Sequence, residues 1–222
     1  MESSYFSILK SSLLFSDFSF AEISALRQIL QAGERHYEKN AHLISAGDPI
    51  SAFGLLLSGA VQITMDDIDG NHILMANVAP GATFAEAMSC TGVTESPIDA
   101  IAAQECTVLW LQGAPLLEPS FLADPLCARF SSSFIRVMAD RSLRFNDRIQ
   151  VLSKKTIREK LITFFSQQAV YQKSHDIVLA MDRSGLADYL GVERSALSRE
   201  LSNMQKAGML RFHKNHFTIF HT

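Results

Sequence analysis

The sequence predicts an α+β chain: an N-terminal β-roll of the jelly-roll type, one long helix, and a C-terminal helix-turn-helix that ends in a β-hairpin wing. Three observations predict it. Residues from about 20 to 112 alternate apolar and polar over short runs broken by glycine. Pro125 to Leu152 keeps apolar residues at spacings of three and four, and Met181 to Phe220 reads as two short helices at a glycine followed by a hairpin. With 222 residues and 47% hydrophobic content, the chain is long enough for two domains with separate cores. The expected divisions are a roll over 1–122, the long helix over 123–152 and the helix-turn-helix unit over 153–222.

Within the roll, the runs from Gly54 to Met65 and from His72 to Val78 are the clearest strands, and Asp69-Gly70 between them is a hairpin signal. Gly47, Gly59 and Gly81 fall where strands hand over to turns, which calls for a positive φ or a close backbone approach. A roll can also house a metalloenzyme, but that chemistry needs clustered ligands on facing strands. His36, His42 and His72 are scattered, with no pair at i, i+2, so no catalytic residue and no metal ligand set is assigned. Cys90, Cys106 and Cys127 are odd in number and widely spaced, and read as reduced, half-buried small hydrophobes. The N-terminal stretch has no basic start, no small-residue cleavage pattern and no apolar run approaching about 18 residues. A cytoplasmic protein without a membrane partner is expected.

The long helix carries Phe130, Phe134, Val137, Met138, Arg141, Phe145, Ile149 and Leu152 as one stripe. Part of the stripe must contact the roll, yet a helix this long is hard to cover with one small β domain. The reading is therefore that Phe130, Phe134, Val137, Met138, Arg141 and Phe145 form a dimer interface with a twin helix. Lys155 to Tyr171 then forms a further helix leading to the last domain.

In that domain Asp182 is an N-cap, Leu186, Ala187 and Leu190 give the first helix its apolar stripe, and Gly191 ends it. The second helix, about Glu193 to Lys206, buries Leu197, Leu201 and Met204. This leaves Arg194, Ser195, Ser198, Arg199 and Ser202 on the opposite face. Strands at Leu210 to His213 and Phe217 to Phe220 are joined at Lys214-Asn215. His213 and His216 flank that turn and, lacking a third ligand, are hairpin residues. Small serines let a helix sink into a major groove about 12 Å wide, and an arginine can donate two hydrogen bonds to guanine. Charge agrees: residues 153–222 hold 11 Lys and Arg against 6 Asp and Glu, whereas residues 1–152 hold 9 against 17. The whole-chain pI of about 6.2 hides a basic end suited to phosphates.

Leu186, Leu190-Gly191, Ser198-Arg199, Leu201, Gly208 and Leu210 follow a pattern that resembles the helix-turn-helix of the CRP/FNR family of bacterial transcription regulators. The resemblance continues upstream through the family's cyclic-nucleotide-binding roll, in AGDP at Ala46 to Pro49, LLLSGAVQI at Leu55 to Ile63 and PGATFAEAM at Pro80 to Met88. It implies that Arg199 reads guanine, that Arg194 contacts DNA at the helix start, and that Ser198 is its small neighbour. Ser195 stands where well-studied members carry a glutamate, so their half-site sequences do not transfer. The implied partners are double-stranded DNA at an inverted repeat, a second copy of the chain, and RNA polymerase if the protein activates.

An effector pocket between roll and long helix is implied too, with Phe84, Glu86, Ala87, Met88, Pro97 and Met138 as candidates. The arginine that the family uses to bind a cyclic phosphate is absent from Glu95 to Ala100. A buried phosphate without a cationic partner is severely penalised, so cyclic AMP is not expected. No cysteine precedes Cys90, which disfavours the iron-sulfur cluster of the FNR branch. The FAEAM stretch resembles the branch with haem regulators, which leaves haem open and the effector unassigned. The alternative is a roll that serves as a regulatory ligand-binding or interaction module without DNA binding.

Overall fold

The computed structural model describes residues 5–66, 72–91, 93–179 and 181–220, so the hairpin expected at Asp69-Gly70 lies outside the described residues. The chain divides into two compact units, residues 1–139 and 140–222. The first opens with α1 (Phe6–Ser11) and α2 (Phe20–Ile29). It continues through β1 (Gly33–Tyr37), β2 (His42–Ile44), β3 (Ala52–Ser58), β4 (Val61–Asp66), β5 (His72–Val78) and β6 (Thr83–Phe84). After α3 (Glu86–Thr91) come β7 (Asp99–Ala102) and β8 (Cys106–Gln112), a 3-10 turn (Ala114–Leu117), α4 (Pro119–Leu122) and the start of α5 (Pro125–Leu152).

The strands form two antiparallel four-stranded sheets, ordered β1-β8-β3-β6 and β2-β7-β4-β5. Between them lies a core that includes Leu56, Val61, Ile63, Val78, Phe84, Ala100 and Val108. The outer face of the first sheet, with Phe53, Leu55, Leu57, Leu109 and Leu111, packs under a helical layer that includes Leu9, Phe15, Phe18, Leu26 and Phe130. Strand β3 is therefore buried on both faces, which is why its sequence is a continuous apolar run rather than an alternation. Gly59 joins β3 to β4 at φ +82°, and a Cβ there would stand 2.2 Å from the Glu105 carbonyl oxygen. Both demands restrict that position to glycine.

Two expectations need correction. The stretch Phe20–Ile29, included in the alternating region, is the helix α2. Its start was encoded in Ser19 and Glu22: the Glu22 amide donates to Ser19 Oγ at 3.3 Å, and the Ser19 amide donates to the Glu22 carboxylate at 2.8 Å. That reciprocal pair is a capping box. The second correction concerns α5. Phe130 is fully buried and Phe134 nearly so, in the core of their own chain, with ring centroids 5.5 Å from Phe15 for Phe130 and 5.3 Å from Phe53 for Phe134. These two side chains face the roll and leave no surface for a twin. Val137 and Met138 are half-buried against the same core.

The second unit holds the last turns of α5, then α6 (Ile157–Gln172), β9 (Asp176–Val178), α7 (Arg183–Leu190), α8 (Arg194–Lys206), β10 (Leu210–His213) and β11 (His216–Ile219). The sequence drew boundaries on either side of α5; the division falls inside it, between Ala139 and Asp140. From Asp140 onward the helix contacts the elements that follow it. Arg148 lies over the Tyr189 ring at 5.3 Å, Arg144 over Tyr171 at 5.6 Å, and Val151 is fully buried in the second core. Strand β9 adds a third strand to the wing, in the order β10-β11-β9. At three residues it is too short for periodicity to reveal.

Candidate nucleic-acid interface

Helix α7 starts where Asp182 Oδ1 accepts the Gly185 amide at 2.9 Å, and ends at Gly191, whose φ of +61° turns the chain. Leu186, Ala187 and Leu190 bury its inner face. Helix α8 buries Leu197, Leu201 and Met204 against the same core. Spacings of four and three on one side leave the other side free. Arg194, Ser195, Ser198, Arg199 and Ser202 are all exposed.

The serines are partly committed within the helix. Ser198 Oγ donates to the Arg194 carbonyl at 2.9 Å and Ser202 Oγ donates to the Ser198 carbonyl at 3.0 Å. Their lone pairs remain as acceptors while the arginines supply donors, so this face offers both hydrogen-bonding senses. On the flank, Arg158 Nε pairs with Glu200 Oε1 at 2.5 Å and ties α8 to α6.

Sequence reasoning missed Arg183. Its guanidinium donates to the Lys214 carbonyl in the wing turn at 3.3 Å and lies over the rings of Phe212 and Phe217 at 4.9 and 5.4 Å. Burial, and after it the like charge of Arg194, lower its pKa from the usual arginine value. A cation in the first turn of a helix opposes the macrodipole, and that is the sequence signal that could have found it. The wing turn is held from its other side by Asn215, whose Nδ2 donates to the Leu179 carbonyl at 2.7 Å. Arg183, Arg194 and the wing thus gather positive charge beside the exposed face of α8, an arrangement that an anionic backbone relieves.

The family model for the Crp-like helix-turn-helix domain matches residues 159–221, and that for the cyclic nucleotide-binding domain matches residues 34–118. Together they span well over half of the chain. The chain belongs to the CRP/FNR family. The fumarate and nitrate reduction regulatory protein of Escherichia coli is 24% identical to it, over 89% of this chain and 78% of that one. Among solved structures, a CooA mutant from Carboxydothermus hydrogenoformans gives a TM-score of 0.64 at 20% identity, covering 99% of this chain and 92% of that chain. The c-di-GMP-responsive global regulator CLP of Xanthomonas campestris gives 0.61 at 16% identity, covering 92% and 100%. At these identities the structures show a common fold. This CRP/FNR protein is accordingly a DNA-binding transcription regulator with a sensor roll. No helix among the described residues is long and apolar enough to cross a membrane.

The residues that the sequence assigned to the CRP/FNR effector pocket differ in their surroundings. Phe84 is a core residue: its ring fills the space that a Cβ on Gly54 would need, at 2.3 Å, and meets Trp110 edge-on at 5.4 Å. Met88 is half-buried against this roll core, whereas Met138 packs against the separate helical core. Glu86 is fully buried, while Ala87 and Pro97 are exposed. Ala85 occupies the left-handed region at φ +66°. Ser96 closes its own turn, with Oγ donating to the Ile98 carbonyl at 2.7 Å and accepting the Ile98 amide at 3.1 Å. Of the histidines of the roll, His36 lies 3.2 Å from Glu105 and His42 lies 3.6 Å from Asp99. Burial pushes all three cysteine thiols up, toward the unreactive protonated form.

Proposed function

We propose that the chain works as a symmetric dimer that reads an inverted-repeat operator, one α8 helix in each of two successive major grooves, under control of a small-molecule, gas or redox signal other than cyclic AMP taken up by the roll. The observation that carries this reading is the exposed face of α8, where Arg194 and Arg199 alternate with Ser195, Ser198 and Ser202 over a fully buried Leu197 and Leu201. A face of that composition suits a groove floor, where arginine reads guanine and serine lets the helix approach. Half-sites spaced about one helical turn, roughly 34 Å, follow from twofold symmetry.

The dimer seam we assign differs from the sequence expectation. Ile135, Met138, Ser142, Phe145, Ile149 and Leu152 recur at alternating spacings of three and four, the a and d pattern of a two-stranded coil. Ile135 is 66% exposed, Phe145 59% and Ile149 63% in the single chain. Apolar side chains aligned on one helix face and open to water suit a second copy of the same helix. Contact with RNA polymerase would follow if the bound protein activates.

A gel-shift titration against salt tests the reading. Arg199→Ala should cost about 1 to 3 kcal/mol in operator affinity and relax specificity at one base pair per half-site, with only a small change in binding to random duplex. Equal loss on operator and random DNA would remove Arg199 from the reading face, and no specific complex with any duplex would remove the function.

A further inference from the structure

Strand β1, the ends of β3 and β8, and the β2–β3 loop border an open cavity of about 270 Å³. Strand alternation sorts β1 into two faces, with Glu34 and His36 on one and Arg35 and Tyr37 on the other. On the first face each group has a partner. Glu34 accepts from Arg27 at 2.8 Å, and His36 lies 3.2 Å from Glu105. Arg35 is exposed at the rim of the cavity and makes no ion pair or hydrogen bond among the described residues.

The lining combines hydrogen-bond donors, two flat rings, aliphatic side chains and one carboxylate. Trp110 Nε1 donates to Tyr37 Oη at 3.0 Å, which satisfies the indole edge and leaves the phenol its own proton to give. The Gln112 amide adds further donor capacity. Leu43 and Ile50 supply the aliphatic wall. The one carboxylate in the lining, Asp48, accepts the Ser45 amide at 2.9 Å and so is engaged within its own loop.

We propose that this cavity binds a small aromatic carboxylate, its acid group held by the Arg35 guanidinium and the Tyr37 hydroxyl, and its ring against Trp110. A planar guanidinium takes a carboxylate through two parallel hydrogen bonds, and indole and phenol faces favour a flat apolar body over an aliphatic one. The volume of about 270 Å³ lies just below the usual range of ligand pockets, about 300 to 1,000 Å³, which restricts the occupant to a single-ring compound. The site is separate from the Glu86 to Met88 segment, and the inference does not depend on DNA binding.

Trp110 is the sole tryptophan of the chain, so its fluorescence reports directly on this cavity. The full-length protein would be titrated with phenylacetate, exciting only the indole, alongside the uncharged isostere phenylacetamide and the variant Arg35→Gln. A saturable change with phenylacetate that weakens at least about tenfold for phenylacetamide and for Arg35→Gln is expected, the loss of one charge-assisted contact. Thermal melting of Arg35→Gln checks that the variant is folded, and the phenylacetamide arm gives the same discrimination on the unmodified chain. No saturable change up to ten millimolar phenylacetate, or equal affinity for acid and amide, would overturn the proposal. Either result would leave the operator-binding reading standing.

Discussion

Replacing Ile135 and Ile149 together by aspartate separates the seam on α5 from the face that packs on the roll. Each isoleucine is about two-thirds exposed in the single chain, at 66% and 63%, so a polar residue there removes almost no intrachain packing. Substitutions at such sites change monomer stability by roughly 0.5 kcal/mol or less. In a dimer the same side chains would be covered. Fully burying an isoleucine contributes about 1.5 to 3 kcal/mol, and two-thirds of that is about 1 to 2 kcal/mol per side chain. Four such side chains per dimer give about 4 to 8 kcal/mol, before any cost of burying aspartate, so dimer dissociation should rise at least about a thousandfold.

Phe130→Ala is the converse perturbation. Its ring is fully buried against Phe15 and Phe18, and its truncation should cost about 3 to 5 kcal/mol of stability in the N-terminal unit. Sedimentation equilibrium at micromolar protein, paired with thermal melting, reads both effects. If the double isoleucine variant remains dimeric, or if Phe130→Ala gives a stable monomer with an unchanged melt, the assignment of the two faces of α5 is wrong.

Two further outcomes are expected. Ala85 sits at φ +66°, a conformation that costs an L-residue about 1 to 2 kcal/mol and glycine little, so Ala85→Gly should gain about 0.5 to 1 kcal/mol in urea unfolding after the added chain entropy of glycine; a loss of stability would mean that the methyl group packs more than the turn strains. The Ser19 amide first, then Arg129, hold the Glu22 carboxyl down from 4.5 to about 2. Because the folded value is the lower one, this contribution is present above pH 4.5 and is lost as pH falls toward 2. Glu22→Gln should therefore lower stability at neutral pH, and the gap to the parent should close through that acid window; a gap independent of pH would refute the pairing.

How much was legible differs from element to element. The two faces of α8 were legible because two requirements coincide in one helical period: Leu197, Leu201 and Met204 must go inward, and the residues between them must then point outward. Helix α2 was written just as plainly in Ser19 and Glu22, yet the surrounding alternation obscured it. Arg183 left a sequence signal as a cation in a first helical turn, but its partner Lys214, 31 residues away, is set only by folding.

By itself the sequence determined the pair of helices α7 and α8, the ends of α7 and the exposed face of α8, because each depends on residues within a few turns of one another. Tertiary structure alone decided which apolar stripe of α5 is covered by its own chain and which stays exposed. The helix is apolar on more than one side, and periodicity fixes faces without saying what stands opposite them. Only the arrival of Phe15, Phe18 and Phe53 beside Phe130 and Phe134 turns one face into core and leaves Ile135 and Ile149 in water. The same holds for β1, where alternation separates Arg35 from Glu34 but only the pairing of distant strands gives Arg35 a cavity and leaves it without a counter-ion among the described residues.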